Sequence, residues 1–113
     1  MKKIEAVIRP DSLDEVLDAL QAAGYPGIMV TEIEGHGRQK GVTQQWRGQE
    51  YKVGLLPKVK IEVVVTDKEA PELVSTIVKV TKTGKIGDGK IFITDVVDAL
   101  RIRTGEKGDT ALN

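Results

Sequence analysis

The stretch Val59-Lys60-Ile61-Glu62-Val63-Val64-Val65-Thr66-Asp67-Lys68-Glu69-Ala70-Pro71-Glu72-Leu73-Val74-Ser75-Thr76-Ile77-Val78-Lys79-Val80 decides the fold. Its first part sets Val59, Ile61, Val63 and Val65 against Lys60 and Glu62, the period of a strand with one buried face. Its second part changes period. Pro71 falls near a first helical turn, where its missing N–H is least costly. Leu73, Val74, Ile77, Val78 and Val80 then supply the residues expected to be buried. The same switch occurs at the start of the chain. Ile4, Ala6 and Ile8 alternate with Lys3, Glu5 and Val7 in a first strand, Lys3–Arg9, ending at Arg9-Pro10. Ser12 with Glu15 three residues later reads as a capping box. Leu13, Val16, Leu17 and Leu20 follow on one helical face, and Gly24-Tyr25-Pro26-Gly27 ends that helix. Ile28 to Glu34 is rich in β-formers, and Ile91 to Val96 makes a fourth strand.

The order β-α-β-β-α-β is that of the ferredoxin-like split βαβ sandwich, in the α+β class, with a long loop between the second and third strands. The 113 residues form one domain. Two helices cover only one face of four strands. Val7 and Val64 point to the other face, which is therefore expected to pack against another subunit.

Composition narrows the function classes. Seventeen basic and seventeen acidic residues balance, which argues against bulk binding of nucleic acid. There is no cysteine, so no disulfide framework or thiolate metal site, and one histidine cannot build a His-rich zinc site. No 18-residue apolar run offers a membrane span. Met1-Lys2-Lys3-Ile4-Glu5 enters a strand pattern at once and lacks a signal-peptide apolar region. The expectation is a soluble cytoplasmic protein without direct membrane insertion.

Two segments carry chemistry. Thr83-Gly84-Lys85-Ile86-Gly87-Asp88-Gly89-Lys90-Ile91-Phe92 packs three glycines and two lysines into a turn before a strand. Successive backbone N–H groups in such a turn form an anion-binding concavity, and lysine adds full charge. The spacing nearly matches a P-loop, but Ile91 stands where Ser or Thr would hold Mg²⁺, and a strand follows instead of a helix. The second segment, residues 37–55, is a connection of 19 residues without clear periodicity. Loops beyond about 12–15 residues are commonly functional. The bland reading is an extended β-hairpin with a solvated tip. Trp46 and Tyr51, with Arg38, Lys40, Arg47 and Lys52 against Glu50, favour a binding segment.

Five motifs then resemble one family. Gly37-Arg38-Gln39-Lys40-Gly41, Trp46-Arg47-Gly48-Gln49-Glu50-Tyr51, Leu56-Pro57-Lys58-Val59-Lys60, the glycine turn, and Arg101-Ile102-Arg103-Thr104-Gly105-Glu106 resemble those of the PII nitrogen-regulatory signal-transduction proteins, in register from Met1 to about Asp109. The subgroup that docks on ammonium transporters is the most similar. The resemblance implies a homotrimer with sheets facing inward and three lateral clefts that bind ATP or ADP. It makes residues 37–55 the T-loop, 82–90 the B-loop and 101–109 the C-loop. It implies that 2-oxoglutarate binds with Mg²⁺-ATP and reshapes the T-loop. An ammonium transporter, glutamine synthetase or a nucleotidylyltransferase would be the partners, and a transporter would recruit the protein to the inner face of the cell membrane.

The resemblance also assigns residues. Gly87, Asp88, Gly89 and Lys90 would meet the phosphates with Arg101, Arg103 and, from the T-loop base, Arg38. Arg101-Ile102-Arg103 on an extended chain would put both guanidiniums on one side. Gln39 would join Mg²⁺ with phosphate oxygens and the 2-oxo acid. Lys58 would pair with the far carboxylate of 2-oxoglutarate, near Gln39, Lys40, Gly41 and Gly87. Gly27, Ile28, Met29, Gly35, Glu62 and Val64 would surround adenine. In this stretch many relatives carry a threonine after methionine, whereas this chain reads Met29-Val30, so a hydroxyl contact to adenine is lost and backbone groups would hold the base. Trp46 and Arg47 would dock on the target, and Tyr51 matches a tyrosine that some relatives carry in nucleotidylated form. His36, where relatives often have an aromatic, reads as cleft-lining rather than catalytic, since it lacks an orienting carboxylate in sequence.

Two other classes compete. A slow ATPase or phosphotransferase could use the same glycine turn, but no nucleophile and base stand out. An RNA-binding ferredoxin-like domain would stack bases on aromatics from its central strands, and Lys3–Arg9 and Val59–Val65 contain none. The sensor reading, a regulator rather than an enzyme, is the expectation carried forward.

Overall fold

In the first strand, β1 (Lys2–Ile8), alternation buries Ile4, Ala6 and Ile8 and leaves the residues between them half-buried. In the computed structural model, which describes residues 1–25, 27–36, 43–46, 49–52 and 55–112, the chain continues through α1 (Leu13–Ala22), β2 (Met29–Gly35), β3 (Thr43–Trp46), β4 (Gln49–Lys52), β5 (Leu56–Val65), α2 (Ala70–Thr81) and β6 (Lys90–Asp95). Four strands form one sheet in the order β2-β5-β1-β6, with every neighbouring pair antiparallel. This is the expected α+β sandwich of ferredoxin-like topology. Residues 37–55 contain the antiparallel pair β3–β4, with Trp46 opposite Gln49 and Gln44 opposite Tyr51, so the connection that shows no periodicity in sequence holds a hairpin.

The core lies between the sheet and the helices. Val59, Ile61, Val63 and Val65 of β5 stand opposite Ile8, Ala6, Ile4 and Lys2 of β1, and Val16, Leu20, Leu73 and Ile77 close over them from α1 and α2. Tyr25 joins this core. It enters through the end of α1, where Gly24 at φ 93° turns the chain. The N–H of Tyr25 donates to the Leu20 carbonyl at 2.9 Å, and that of Gly24 to the Gln21 carbonyl at 3.0 Å, the paired bonds of a Schellman cap. Burial pushes the Tyr25 phenol above its ordinary range, with Glu69 and Glu72 adding to the effect.

Three expectations are corrected. First, Ser12 makes no side-chain cap. A 3-10 turn over Pro10–Ser12 feeds directly into α1, so Ser12 already has helical dihedrals (φ −85°, ψ −9°) and its own N–H donates to the Arg9 carbonyl at 3.1 Å. The capping box forms instead before α2. There the Thr66 hydroxyl donates to Glu69 Oε1 at 2.7 Å, while the Glu69 N–H donates to Thr66 Oγ1 at 3.3 Å. Second, Val78 is exposed, and Val74 and Val80 are only half-buried. Ala70 and Thr81 take the buried places, in register with Leu73 and Ile77. Thr81 is tolerated there because its hydroxyl donates to the Ile77 carbonyl at 2.8 Å. Third, the third strand begins at Leu56 rather than Val59, because β2 extends its pairing to Gly35 opposite Leu56.

The uncovered face carries a charge network. Glu5 and Glu62 stand directly opposite each other, a repulsive arrangement for like charges. Lys3 Nζ lies 3.4 Å from Glu5 and 3.5 Å from Glu62, and Lys60 Nζ lies 3.4 Å from Glu62. Desolvation in the sheet pushes the Glu62 carboxyl up, but Lys60 and Lys3 outweigh it and hold the group below its ordinary range. Val7 and Val64 flank this network, half-buried, on the same face.

Removing each hydroxyl separates the two capping sites. Thr66→Ala is expected to lower stability by about 0.5–2 kcal/mol, whereas Ser12→Ala stays within about 0.5 kcal/mol of wild type. Urea unfolding of the two variants measures both, and an equal loss from the two would contradict this assignment.

Candidate functional site

The turn between α2 and β6 is organised around one carboxylate. Asp88 Oδ2 accepts the backbone N–H groups of Thr83 and Gly84, each at 2.8 Å, and Oδ1 accepts the Thr83 hydroxyl. The Arg9 guanidinium, from the residue after β1, donates to Oδ1 at 2.6 Å and with its second nitrogen to the Ile86 carbonyl at 3.0 Å. The Thr83 hydroxyl and then Arg9 are the largest influences, and together with the two N–H groups they overcome desolvation and hold the Asp88 carboxyl well below the ordinary aspartate range. Asp88 thus points into the loop and shapes it.

Glycine is required where this turn meets β1. Gly89 has φ 110°, and a Cβ there would sit 1.9 Å from the Val7 carbonyl oxygen. Gly87, at φ 102°, is also in the left-handed region. Lys58 of β5 closes the arrangement, its Nζ donating to the Gly87 carbonyl at 3.3 Å. Burial, then the charge of Arg9, push the Lys58 ammonium below its ordinary range.

Lys58, Gly87, Asp88 and Gly89 lie on the wall of an open cleft of about 670 Å³. Of the residues expected from sequence, Gly35, Lys58, Gly87, Asp88, Gly89 and Lys90 line it together, and His36 lines it too. Lys85, Ile86 and Phe92, all within the glycine-rich stretch, contribute further wall, as do Val7 and Leu56. Sequence reasoning missed Arg9. An acid in a glycine turn calls for a cationic partner, but nothing local selects Arg9 among 17 basic residues.

The remaining expected residues lie elsewhere. Gly27, Ile28, Met29, Glu62 and Val64 do not line the cleft. Met29 pairs with Glu62, while the cleft lies where Gly35 pairs with Leu56. Leu56 and Glu62 are six positions apart on β5, about 20 Å of strand. Arg101 and Arg103 follow a segment that leaves the sheet beside Met1, where the Val96 N–H donates to the Met1 carbonyl at 3.0 Å. The extended Arg101-Ile102-Arg103 expected from sequence is a turn instead, closed by the Gly105 N–H donating to the Arg101 carbonyl at 2.7 Å. Arg101 is held by Glu106 at 2.8 Å and by the Thr110 carbonyl at 2.7 Å, while Arg103 is exposed. Alternation therefore does not place the two guanidiniums on one side. Arg38, Gln39, Lys40, Gly41 and Arg47 lie outside the described residues, and of Trp46 and Tyr51 only the backbone is described.

A model of the family described as "Nitrogen regulatory protein P-II" matches residues 1–106. Over 112 residues, the chain is 59% identical to the nitrogen regulatory protein P-II of Cereibacter sphaeroides and 56% identical to that of Klebsiella oxytoca, covering 99% of this chain and 100% of each relative. It is 55% identical to nitrogen regulatory protein P-II 2 of Methanothermobacter thermautotrophicus, over 99% of this chain and 97% of that protein. No helix among the described residues is long and apolar enough to cross a membrane.

Two measurements check the turn. Gly89→Ala should destabilise the protein by more than about 2 kcal/mol, since strain at positive φ adds to a backbone clash. Gly84→Ala, where φ is 84° but nothing lies within 4 Å of the new Cβ, should cost about 1 kcal/mol. Equal losses would show that the contact with Val7 does not matter. The depressed Asp88 carboxyl gives stability that is complete above the ordinary aspartate value of about 4 and lost as the pH falls below it. The urea-midpoint difference between wild type and Asp88→Asn should therefore shrink from about pH 6 to about pH 3, and a constant difference would count against the assignment.

Proposed function

The chain belongs to the nitrogen regulatory protein P-II family, and from that premise we propose a sensor that binds ATP or ADP and, together with Mg²⁺-ATP, 2-oxoglutarate. It is a nitrogen-regulatory signal transducer, and its relatives bear the names of regulatory proteins rather than of enzymes. The finer reading rests chiefly on one observation. The residues expected to hold a nucleotide fall into two groups along β5, one around Gly35, Lys58 and the glycine turn, the other around Met29 and Glu62, with Lys58 and Glu62 four positions, about 13 Å, apart.

In this reading the two groups meet on one nucleotide where two copies stand side by side. The cleft of one subunit would take the phosphates, and the β2 edge of its neighbour, with Gly27, Ile28, Met29, Glu62, Val64 and the arginines Arg101 and Arg103, would take the base and outer oxygens. Apolar residues left exposed on β2 and after β6, Met29, Val97 and Ile102 among them, support an assembled state. A closed homotrimer is the symmetric solution this reading takes, with the Lys3–Glu5–Lys60–Glu62 face turned inward.

The donor set suits phosphate. The turn offers backbone curvature that a side chain at Gly89 would destroy, and Lys85 and Lys90 face the same space. For Mg²⁺ the fit is different. No group of three acidic, histidine or cysteine side chains that could hold a metal occurs among the described residues, and Asp88, an acid of the cleft, is already engaged by Arg9 and Thr83. The ion would thus be held largely by phosphate oxygens, with Gln39 as a protein ligand, and would supply positive charge that offsets the phosphates and the 2-oxo acid. Lys58 would bind the far carboxylate, near Lys40 and Gly41. Residues 37–55 would report the bound state to an ammonium transporter through Trp46 and Arg47. Tyr51 would be the site of any nucleotidylation.

Calorimetric titration of Mg²⁺-ATP with and without 2-oxoglutarate, with GTP as competitor, tests this reading. Each ligand is expected to tighten the other, as linkage requires, and GTP is expected to compete poorly. Lys58→Ala should remove the 2-oxoglutarate effect while ADP binding stays within about threefold. ATP binding untouched by 2-oxoglutarate would overturn the roles given to Gln39 and Lys58, and the absence of nucleotide binding would overturn the sensor reading itself.

A further inference from the structure

His36 is the first residue after β2, and it lines the cleft beside Gly35, Lys58 and the glycine turn. Its side chain is exposed rather than consumed by the core. Among the described residues it makes no hydrogen bond and no ion pair. The charged groups lining the cleft with it are Lys58 of β5, Lys85 and Asp88 of the turn, and Lys90 of β6. Asp88 is neutralised by Arg9 at 2.6 Å, so the surroundings are cationic without a free acid among the lining residues described. Glu34 lies two positions earlier on the strand and borders a separate groove with Pro10 and Pro57.

An imidazole in such a place has no structural duty and two N–H groups when charged. It is also the side chain whose charge changes between about pH 5 and 8. We infer that His36 is a ligand-contacting residue that adds a pH-dependent positive charge to the phosphate-binding cleft. The inference rests on the nucleotide reading above and extends it. The ligand class is a polyanion with phosphoryl or carboxylate oxygens, and the affinity for it rises as the medium acidifies.

The test compares wild type with His36→Gln, which keeps a neutral hydrogen-bonding side chain, and with His36→Lys, which stays charged. ADP and Mg²⁺-ATP are titrated calorimetrically at pH 6.0 and 8.0, the latter also with 2-oxoglutarate, to tell a phosphate contact from a carboxylate one. Ratios between proteins at each pH cancel the titration of the nucleotide itself. Wild type should bind about two- to fivefold more tightly than His36→Gln at pH 6.0, and the two should converge at pH 8.0. His36→Lys should hold the advantage at both. A wild-type-to-Gln ratio that is the same at both pH values overturns the inference while nucleotide binding survives. Failure of wild type to bind any nucleotide removes the reading on which the inference stands.

Discussion

The cleft depends on the ion pair between Arg9 and Asp88. Glycines give the turn its reach, but they also leave it with the most conformational freedom to lose on folding. One carboxylate offsets that by gathering two backbone N–H groups, a hydroxyl and a guanidinium. Arg9 also ties the Ile86 carbonyl, so the turn is fastened at two points to the end of β1. Gly89 then lies against Val7 with no room for a side chain. The shape of the turn is a consequence of this clasp, since glycines alone would not hold it.

Net charge is a poor guide to such a site. The chain as a whole is neutral, yet Lys58, Lys85 and Lys90 line one cleft whose acid, Asp88, is paired with Arg9. Burial and the charge of Arg9 push the Lys58 ammonium below its ordinary range. Elsewhere the same chain spends its charges in mutual pairing. Lys3 and Lys60 separate Glu5 from Glu62 on the open face of the sheet. Polar residues there and half-buried valines beside them form a surface that a neighbouring copy can cover without stranding a charge.

Much of the fold was legible because alternation and helical spacing are local properties. Ile4, Ala6 and Ile8, or Val59, Ile61, Val63 and Val65, have to share a face once the chain is extended, and all seven are buried. Local rules failed where two of them competed. Ser12 satisfied the capping pattern, but Pro10 started a 3-10 turn one step earlier and left Ser12 already helical. Thr66 and Glu69 satisfied the same pattern and formed the box because no turn pre-empted them. Val78 satisfied the apolar pattern but sits on the rim of its helix, where Thr81 could be buried by bonding to its own backbone.

By itself, then, the sequence determined the order of elements, the faces they bury and the position of the glycine turn, since each follows from residues within a few positions of one another. The motifs also determined the family. Only the tertiary structure decided which cation holds the turn, because Arg9 and Asp88 are 79 residues apart and meet through the register of β1 against β6. It also decided that Gly35 and Met29, six positions apart on one strand, belong to different ends of the sheet. A strand separates its residues by a fixed rise per position, so proximity in sequence became distance in space. For Arg9 and Asp88, antiparallel pairing turned distance in sequence into contact.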